Sequence, residues 1–291
     1  MNDYFTSRRA LIDGFLADLS TRLGAPHPLQ APLQRSLASA GKRVRGILTI
    51  ATGEAVGCRA EKLVLAAAAM EMIHTSSLIL DDLPSMDDAL LRRGHPTLHR
   101  EFGEDLAILS AVALLNHSYG LVATNHASLS PRRWPLTALI QRVVDAVGWD
   151  GTIAGEAVDL HSEGSKLDFD TLELIHSRKT GALFVGAAAV GGMLANIDAA
   201  RLRRIEIFAK NLGLAFQITD DVLDVTGTPE TLGKDTGKDA QRLTFVKLAG
   251  IDGARKLSAE LVETSLSAIA PLGPPAAPLR TLAALVRDRV S

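Results

Sequence analysis

The sequence predicts an all-α protein, and three features of its composition and patterning support that class. Alanine and leucine are abundant, β-branched residues rarely alternate with polar ones, and apolar residues recur every three or four positions in most segments. Intervals of three and four residues place side chains on one helix face, whereas a half-buried strand needs an interval of two. The sequence therefore predicts a bundle of helices.

These apolar intervals divide the chain into successive helices whose boundaries are defined to within a few residues. The predicted helices are 6–23, 29–39, 43–57, 60–83, 104–129, 131–148, 150–162, 169–195, 199–226, 238–249 and 253–270. The Pro-rich stretch PLGPPAAP at 271–278 is predicted to be a loop between helices. Because no Gly/Ser or charged linker divides the chain, we expect residues 1–291 to form a single domain.

The composition excludes several classes of protein. The chain has 291 residues, 47% of them hydrophobic, and 31 basic against 33 acidic residues give a net charge of −2. That balance argues against a nucleic-acid-binding protein. One cysteine, Cys58, cannot form an internal disulfide, so we expect a reducing, cytoplasmic setting. The N-terminus has charges throughout, and we expect neither a secretory segment nor a transmembrane segment.

The predicted helices 60–83 and 199–226 are apolar around much of their circumference, which predicts that both lie inside the bundle. Each ends in aspartates: residues 81–88 read DDLPSMDD and residues 220–224 read DDVLD. A solvated helix end or a cap would explain one isolated pair of aspartates. Two clusters at the ends of buried helices would repel each other, so we expect cations between them.

The spacing within each motif bears on how its carboxylates could converge. Asp220 and Asp224 are four positions apart and share a helix face. Asp81 and Asp87 are six positions apart, about 240° around a helix of roughly 3.6 residues per turn. Pro84 removes a backbone donor between them and predicts a bend that returns Asp87 toward Asp81. Oxygen ligands of this kind favour magnesium, which binds through a few carboxylates plus substrate phosphates.

Basic residues occur in the same parts of the chain as the aspartates. They are Lys42, Arg43, Arg45, Arg92, Arg93, Lys179, Lys234 and Lys238. Each alone is typical of a solvated surface charge. Together they alternate with the aspartates as a phosphate-binding site requires, with magnesium on one side and cationic donors on the other. The sequence therefore predicts diphosphate ligands.

These motifs, in this order, resemble the trans-prenyltransferases, the isoprenyl diphosphate synthases. The similarity runs through GKRVR at 41–45, HTSSLILDDLPSMDDALLRRGHPT at 74–97, GEAVDL at 155–160, KTG at 179–181, FQITDDVLD at 216–224 and GKDTGKD at 233–239. Residues 72–123 are most similar to bacterial geranylgeranyl diphosphate synthases. The resemblance implies a helical bundle around a deep cavity, usually a homodimer, that condenses isopentenyl diphosphate with an allylic diphosphate.

The resemblance also implies a role for each motif residue. Two magnesium ions would be held by Asp81 and Asp87 with help from Asp82, and a third by Asp220. The remaining charge of the allylic diphosphate would be neutralised by Arg92, Lys179, Lys234 and Arg242. Isopentenyl diphosphate would be bound by Lys42, Arg45, His74 and Arg93. Thr180 and Gln217 would line the reacting carbons. A lone histidine on an apolar helix is more often a core residue than a ligand. The position of His74 in the family motif favours a role in binding instead.

Three positions depart from the family pattern. Gly46 stands where a proline often follows the basic motif, and Arg242 stands where a lysine is common. Glu156 replaces the glutamine of the usual GQxxDL pattern. The added carboxylate could weaken diphosphate binding, pair with a basic residue, or lie away from the ligands, and the sequence leaves these alternatives open.

The product length is expected to depend on residues about one helical turn before Asp81. Ser76 and Ser77 are both small, which predicts a deep cavity and a C20 product; farnesyl-producing bacterial relatives tend to carry an aromatic residue at the position of Ser76. The candidates for a deeper floor are Met72, Ile73, Leu109 and Val112. The alternatives are a farnesyl diphosphate synthase, a class I terpene cyclase and a non-catalytic partner subunit. The basic set argues against a cyclase, and the two intact aspartate motifs argue against a non-catalytic subunit.

Overall fold

The computed structural model describes residues 2–130, 132–162, 168–226 and 244–288, and these residues are almost entirely helical, which confirms the predicted fold class. In chain order the α-helices are α1 (Asn2–Thr21), α2 (His27–Leu37), α3 (Val44–Glu54), α4 (Val64–Asp81), α5 (Leu98–Phe102), α6 (Glu104–Ala127), α7 (Leu136–Val147), α8 (Thr152–His161), α9 (Phe169–His176), α10 (Ala182–Leu194), α11 (Ala199–Thr226), α12 (Phe245–Ile269) and α13 (Ala277–Asp288). A short hairpin pairs β1 (Leu91–Arg92) with β2 (His95–Pro96).

Most predicted helices occur within a few residues of their expected positions, and the differences have local causes. The predicted helix 131–148 begins at Leu136, because Pro135 lacks an N–H and stands before the first turn. The predicted helix 169–195 contains one π-helical turn, Ser177–Gly181, between α9 and α10. We call this segment the π-turn. The predicted division after residue 249 is instead a kink inside α12 at Gly250, whose φ is 72°.

Small residues let the central helices approach closely. Helix α10 (ALFVGAAAVGGML) is buried along almost its whole length and packs against α3, α7 and α11. A Cβ at Gly191 would overlap the backbone carbonyl of Thr49 on α3, so the α3–α10 crossing requires glycine there. Helix α4 packs beside α6 and α3, with Ala66 to Ala69 fully buried. Burial of both faces explains why α4 and α10 are apolar all round.

Two helices, α4 and α6, are long and apolar enough to cross a membrane by length and composition alone. On length and composition alone, these two helices do not bear out the expectation of no transmembrane segment. The core helix of a soluble protein passes the same test, and the central position of α4 accounts for its composition. Helix α6 differs, because Ile108, Leu109 and Val112 are exposed on its surface.

Candidate functional site

A cavity of about 550 Å³ opens where α3, α4, α8, the π-turn and α11 meet. Most of the residues expected to bind ligands line it: Lys42, Arg45, His74, Ser77, Asp81, Arg92, Arg93, Lys179, Thr180, Gln217 and Asp220. The structure thus brings together motifs that are up to 178 positions apart in the sequence, from Lys42 to Asp220. We call Asp81, Asp87 and Asp220 the acidic side of the site and Lys42, Arg45 and Arg93 its basic side.

On the acidic side, the chain turns back after Asp81 as the sequence predicts, although not by bending a helix. Helix α4 ends at Asp81, three residues before Pro84. The backbone N–H of Asp87 then donates to the carbonyl of Asp81 at 2.9 Å, and the N–H of Asp88 donates to the carbonyl of Leu83 at 3.0 Å. The turn therefore holds Asp87 next to Asp81.

The first two aspartates of the motif have different environments. Asp82 is only 3% exposed, and both of its oxygens accept hydrogen bonds from Arg92, at 2.6 to 2.8 Å. Asp82 lines a smaller adjoining pocket rather than the main cavity. Asp81 faces the main cavity, where burial, and then the carboxylate of Glu156, raise its pKa to about 7. Asp81, and not Asp82, is placed to meet a cation.

The second motif divides its roles in a similar way. Asp220 lines the cavity. Asp221 is buried and accepts hydrogen bonds from the side-chain amide of Gln217 at 3.1 Å and from the backbone N–H of Phe245 at 3.2 Å. It thereby fastens the start of α12 to α11. Asp224, predicted to share a face with Asp220, is not among the described residues that line the cavity.

The oxygen-rich acidic side fits magnesium only in part. Within the described ranges, no three carboxylate, histidine or cysteine side chains come close enough to form a ready-made metal site. Magnesium usually keeps waters and binds through one or two carboxylates together with substrate phosphates. The acidic side is thus suited to supply part of a coordination sphere that phosphate oxygens and water would complete.

On the basic side, the loop formed by residues 38–43 is held from several directions. Arg43 has a φ of 52° and is buried, and its guanidinium donates to Asp13 on α1 at 2.7 Å and to the carbonyl of Ser39 at 2.7 Å. Arg93 donates to the carbonyl of Ala40. The sequence grouped Arg43 with the candidate phosphate ligands, but its guanidinium is engaged in holding the loop that carries Lys42.

Gly46 has a specific function in this arrangement. Its backbone N–H donates to the buried carboxylate of Glu71 on α4 at 2.8 Å. A Cβ at Gly46 would crowd the side chains of Ile12 and Glu71 and the carbonyl of Ala67. Proline, frequent here in the family pattern, has no N–H to donate. The glycine therefore gives the first turn of α3 a hydrogen bond to α4 that proline could not form.

Arg45 and His74 are partly buried in the cavity wall and differ in charge at neutral pH. Burial lowers the pKa of Arg45 to about 10, with Glu71 and Asp220 opposing the shift, so Arg45 stays protonated. Its guanidinium lies 5.2 Å from the ring centre of Phe184, and its buried Nε has no hydrogen-bond partner among the described residues. Burial, and then Arg45, lower the pKa of His74 well below its ordinary value, so its imidazole is neutral.

Lys179 lies on the π-turn and is paired with two carboxylates of α8. Its Nζ is 2.7 Å from Glu156 and 2.6 Å from Asp159. Burial alone would lower the pKa of Lys179, but Asp159 and then Glu156 outweigh it, and the pKa is raised. Of the alternatives left open by the sequence for Glu156, the structure shows a pair with a basic residue.

Thr180 and Gln217 form a connected pair on the cavity wall. The hydroxyl of Thr180 donates to Gln217 at 2.9 Å, and Gln217 in turn donates to Asp221. The hydrogen bonds leave both side chains in defined positions beside Asp220. The sequence did not predict that Asp221 joins this network or that Asp159 pairs with Lys179, because a carboxylate that only positions a neighbour leaves no distinctive spacing.

The predicted floor residues are not arranged as expected. Ser77 lines the cavity, whereas Ser76 is buried behind the wall and donates to the carbonyl of Ala111 on α6 at 2.8 Å. Leu109 and Val112, candidates for a deeper floor, are 54% and 55% exposed on the described chain and are not among the described residues that line the cavity, so their role as a floor stays a prediction. Met72 and Ile73 are in the core. Lys234, Lys238 and Arg242 lie outside the described residues.

Comparison with known proteins places this architecture among characterised relatives. Residues 26–265 match the family model described as polyprenyl synthetase. A chloroplastic geranylgeranyl pyrophosphate synthase of Capsicum annuum is 40% identical over 242 residues, which are 81% of this chain and 64% of the relative. The chain thus spans somewhat less than two thirds of that relative's length. A farnesyl diphosphate synthase of Geobacillus stearothermophilus is 37% identical over 91% of this chain and 90% of its own.

A solved structure shares the fold over nearly the whole chain. A geranyltransferase from Helicobacter pylori, complexed with magnesium and isoprenyl diphosphate, superimposes with a TM-score of 0.85 at 29% identity. The similarity covers 98% of this chain and 96% of that one. Both the family match and this structure therefore extend across the cavity and the helices that form it.

Proposed function

Because this chain belongs to the polyprenyl synthetase family, we propose that it is a trans-prenyltransferase that joins isopentenyl diphosphate head to tail to an allylic diphosphate. The observation that carries the proposal is one cavity with carboxylates of two helices, Asp81 and Asp220, facing three cations, Lys42, Arg45 and Arg93. A site for two diphosphates needs both sets of charges. We further propose that residues 1–291 act as a single domain.

The acidic side would receive the allylic diphosphate. Asp81 and Asp87 on one side and Asp220 on the other would hold magnesium, with three ions as the expected number, and Asp82 would act through Arg92. Bound magnesium supplies positive charge that stabilises the departing diphosphate. The Helicobacter pylori geranyltransferase, complexed with magnesium and isoprenyl diphosphate, supports a magnesium-dependent site. Arg92 and Lys179 would add cationic donors on the same side.

The basic side would receive isopentenyl diphosphate. Lys42, Arg45 and Arg93 present charge to the cavity, and neutral His74 offers one further hydrogen bond. Arginine matches phosphate oxygens in a bidentate geometry, which fixes the orientation of the ligand as well as its affinity. This side would hold the homoallylic double bond toward the carbon that ionises.

The reaction itself needs no nucleophilic side chain. Cleavage of the allylic carbon–oxygen bond leaves a cation, which the isopentenyl double bond attacks before a proton is lost to the released diphosphate. Thr180 and Gln217 lie beside Asp220 with their hydrogen bonds directed to each other and to Asp221, and they would line the reacting carbons. The apolar wall formed by Leu183 and Phe216 would exclude water from the cation.

We propose a C20 product, geranylgeranyl diphosphate, because serines occupy both positions one turn before Asp81. Ser77 lines the cavity directly, and the small Ser76 lies behind it against α6. Relatives of both product lengths are similar to this chain, namely a geranylgeranyl and a farnesyl synthase. A C15 product, farnesyl diphosphate, is the alternative.

We also propose a homodimer of a soluble, cytoplasmic protein. Three apolar side chains, Ile108, Leu109 and Val112, are exposed on neighbouring turns of α6. Such a stripe is uncommon on a monomer surface and fits a self-complementary contact between two copies. Light scattering at micromolar concentration would test this, and a monomer of 30.9 kDa would contradict it.

The experiment that tests the function is mass spectrometry of the products made by purified protein with magnesium, isopentenyl diphosphate and one primer at a time. Dimethylallyl, geranyl and farnesyl diphosphate are the primers. A dominant C20 product is expected from each. A product that stops at C15 would support the prenyltransferase reaction but contradict the role of Ser76 and Ser77 in chain length. No elongation from any primer would contradict the proposed function.

A further inference from the structure

Two carboxylates share the ammonium of Lys179. One ammonium is held by two carboxylates, Glu156 at 2.7 Å and Asp159 at 2.6 Å. All three side chains are mostly buried, with 21%, 12% and 21% of their surface exposed for Lys179, Glu156 and Asp159. In a partly buried site, solvent screens such a pair much less than at the surface. The two carboxylates therefore interact strongly with the one ammonium that they share.

The pair is fixed by the backbone around it. Gly155 on α8 touches the π-turn so closely that a Cβ there would overlap the backbone of Lys179. Glu156 follows this contact directly, and Asp159 comes three residues later on the same helix. The close approach of α8 and the π-turn thus brings the lysine side chain back onto both carboxylates.

Glu156 differs from Asp159 in facing the cavity. Lys179 and Glu156 both line it, whereas Asp159 is not among the described residues that do. One oxygen of Glu156 contacts Lys179, and the other, Oε1, is buried without a hydrogen-bond partner in the described part of the chain. A diphosphate that approaches Lys179 would therefore meet a half-satisfied carboxylate beside it.

We propose that Glu156 sets the affinity of the cavity for the allylic diphosphate by holding the Lys179 ammonium in an ion pair that the substrate must displace. The inference rests on the proposed function only in naming that ligand. Two anions compete for the same donors, since an ammonium has three N–H groups and two already point at carboxylates. Glu156 acts through Lys179 and is a positioning residue rather than a catalytic one.

The test is the replacement Glu156→Gln, which keeps the size of the side chain and removes its charge. Binding of geranyl diphosphate alone, at saturating magnesium and without isopentenyl diphosphate, would be measured by isothermal titration calorimetry. We expect the dissociation constant to fall about tenfold, a modest value for the coupling of close charge pairs. Binding of isopentenyl diphosphate to the same variant should be unchanged, because Glu156 is paired on the other side of the site.

Two further proteins separate this mechanism from a general change in charge. In the Lys179→Met background, Glu156→Gln should no longer tighten binding, because the competition requires the ammonium. Glu263→Gln, which removes an exposed carboxylate on α12, should leave binding as in the unmodified protein. Unchanged or weaker binding by Glu156→Gln, or a gain that persists without Lys179, would overturn the inference.

The unfolding temperature of Glu156→Gln provides a check on folding, and a folded variant is expected because glutamine fills the same space. Failure of the proposed function is distinguishable from failure of this inference. A chain that binds geranyl diphosphate but makes no elongated product would contradict the prenyltransferase assignment and leave the effect of Glu156 measurable.

Discussion

The basic and acidic sides of the cavity differ in how the protein supports their charged side chains. On the basic side, the protein itself holds the cations in place, through Arg43 to Asp13, Arg93 to Ala40 and Gly46 to Glu71. On the acidic side, Asp81 is partly buried, no ion pair joins it to a cation among the described residues, and its pKa is raised to about 7. One side is complete in the protein alone, and the other requires a cation.

Under the proposed function, this difference would let one small cavity distinguish two diphosphates. A preorganised set of cations can bind an anion without further components, because its ordering is completed during folding. A set of partly buried carboxylates repels an anion until cations neutralise it. The two substrates should therefore differ in their dependence on magnesium, and substitutions on the two sides should have separate kinetic signatures.

The largest effect is expected from removing a carboxylate of the acidic side. Asp81→Ala should lower kcat/KM at least about a thousandfold, because a bound metal contributes several kcal/mol and each 1.36 kcal/mol is about tenfold. Steady-state turnover with geranyl diphosphate measures this. Asp88→Ala, in the same turn but exposed and paired with Arg100, is the control and should retain most activity. Comparable activity of both variants would contradict the assignment of Asp81 as a magnesium ligand.

A smaller and more selective effect is expected on the basic side. Arg45→Met should raise the KM for isopentenyl diphosphate by about 10- to 100-fold, the range of a hydrogen bond to a charged group of about 1.5–3 kcal/mol. The KM for geranyl diphosphate should change little. Arg22→Met, at a solvated helix end beside Asp18, should alter neither constant. Equal effects on both substrates would show that the two sides are not separate.

The support beneath the basic side can be tested without touching a ligand-binding cation. Glu71→Ala leaves the N–H of Gly46 without its partner and should cost about 2 kcal/mol of unfolding free energy. It should also raise the KM for isopentenyl diphosphate about tenfold by loosening Arg45. Urea denaturation and kinetics measure the two quantities. Glu71→Gln keeps an acceptor and should recover part of both losses; an unaffected KM in the alanine variant would argue against preorganisation.

A change in the wall should affect the product and leave both sides of the site intact. Ser76→Phe should shorten the product from C20 to C15 while the rate of the first condensation changes less than about threefold. The larger side chain must enter the packed α4–α6 interface, at a cost of about 1–3 kcal/mol. Product mass spectrometry reports the outcome, and Ser76→Ala is the control. An unchanged product would contradict the proposal that Ser76 helps to set the chain length of the product.

The sequence predicts the long helices and the turn between Asp81 and Asp87, but not the short elements. Apolar periodicity is sufficient to identify the long helices, and the Asp81–Asp87 spacing with Pro84 predicts the returning turn that the hydrogen bond between their backbones confirms. Short elements such as the β1–β2 hairpin were not predicted, since four paired residues leave no periodicity to detect.

Partners within the site were harder to predict than its members. The resemblance implies that Asp82 helps to bind metal and that Arg92 meets diphosphate, and it does not show that the two side chains pair with each other. The roles of Glu71 and Asp221 depend on backbone N–H groups brought near by folding, which no local sequence pattern encodes. The exposure of Leu109 depends on how α6 is placed, which the sequence does not show.

The most direct test of the difference between the two sides is equilibrium binding of each substrate with and without magnesium. Isopentenyl diphosphate and a non-ionising thio analogue of geranyl diphosphate would be titrated separately, in excess magnesium and in excess EDTA. We predict that isopentenyl diphosphate binds with a similar dissociation constant in both conditions, whereas the allylic analogue binds only with magnesium. Equal metal dependence for the two ligands would contradict the account.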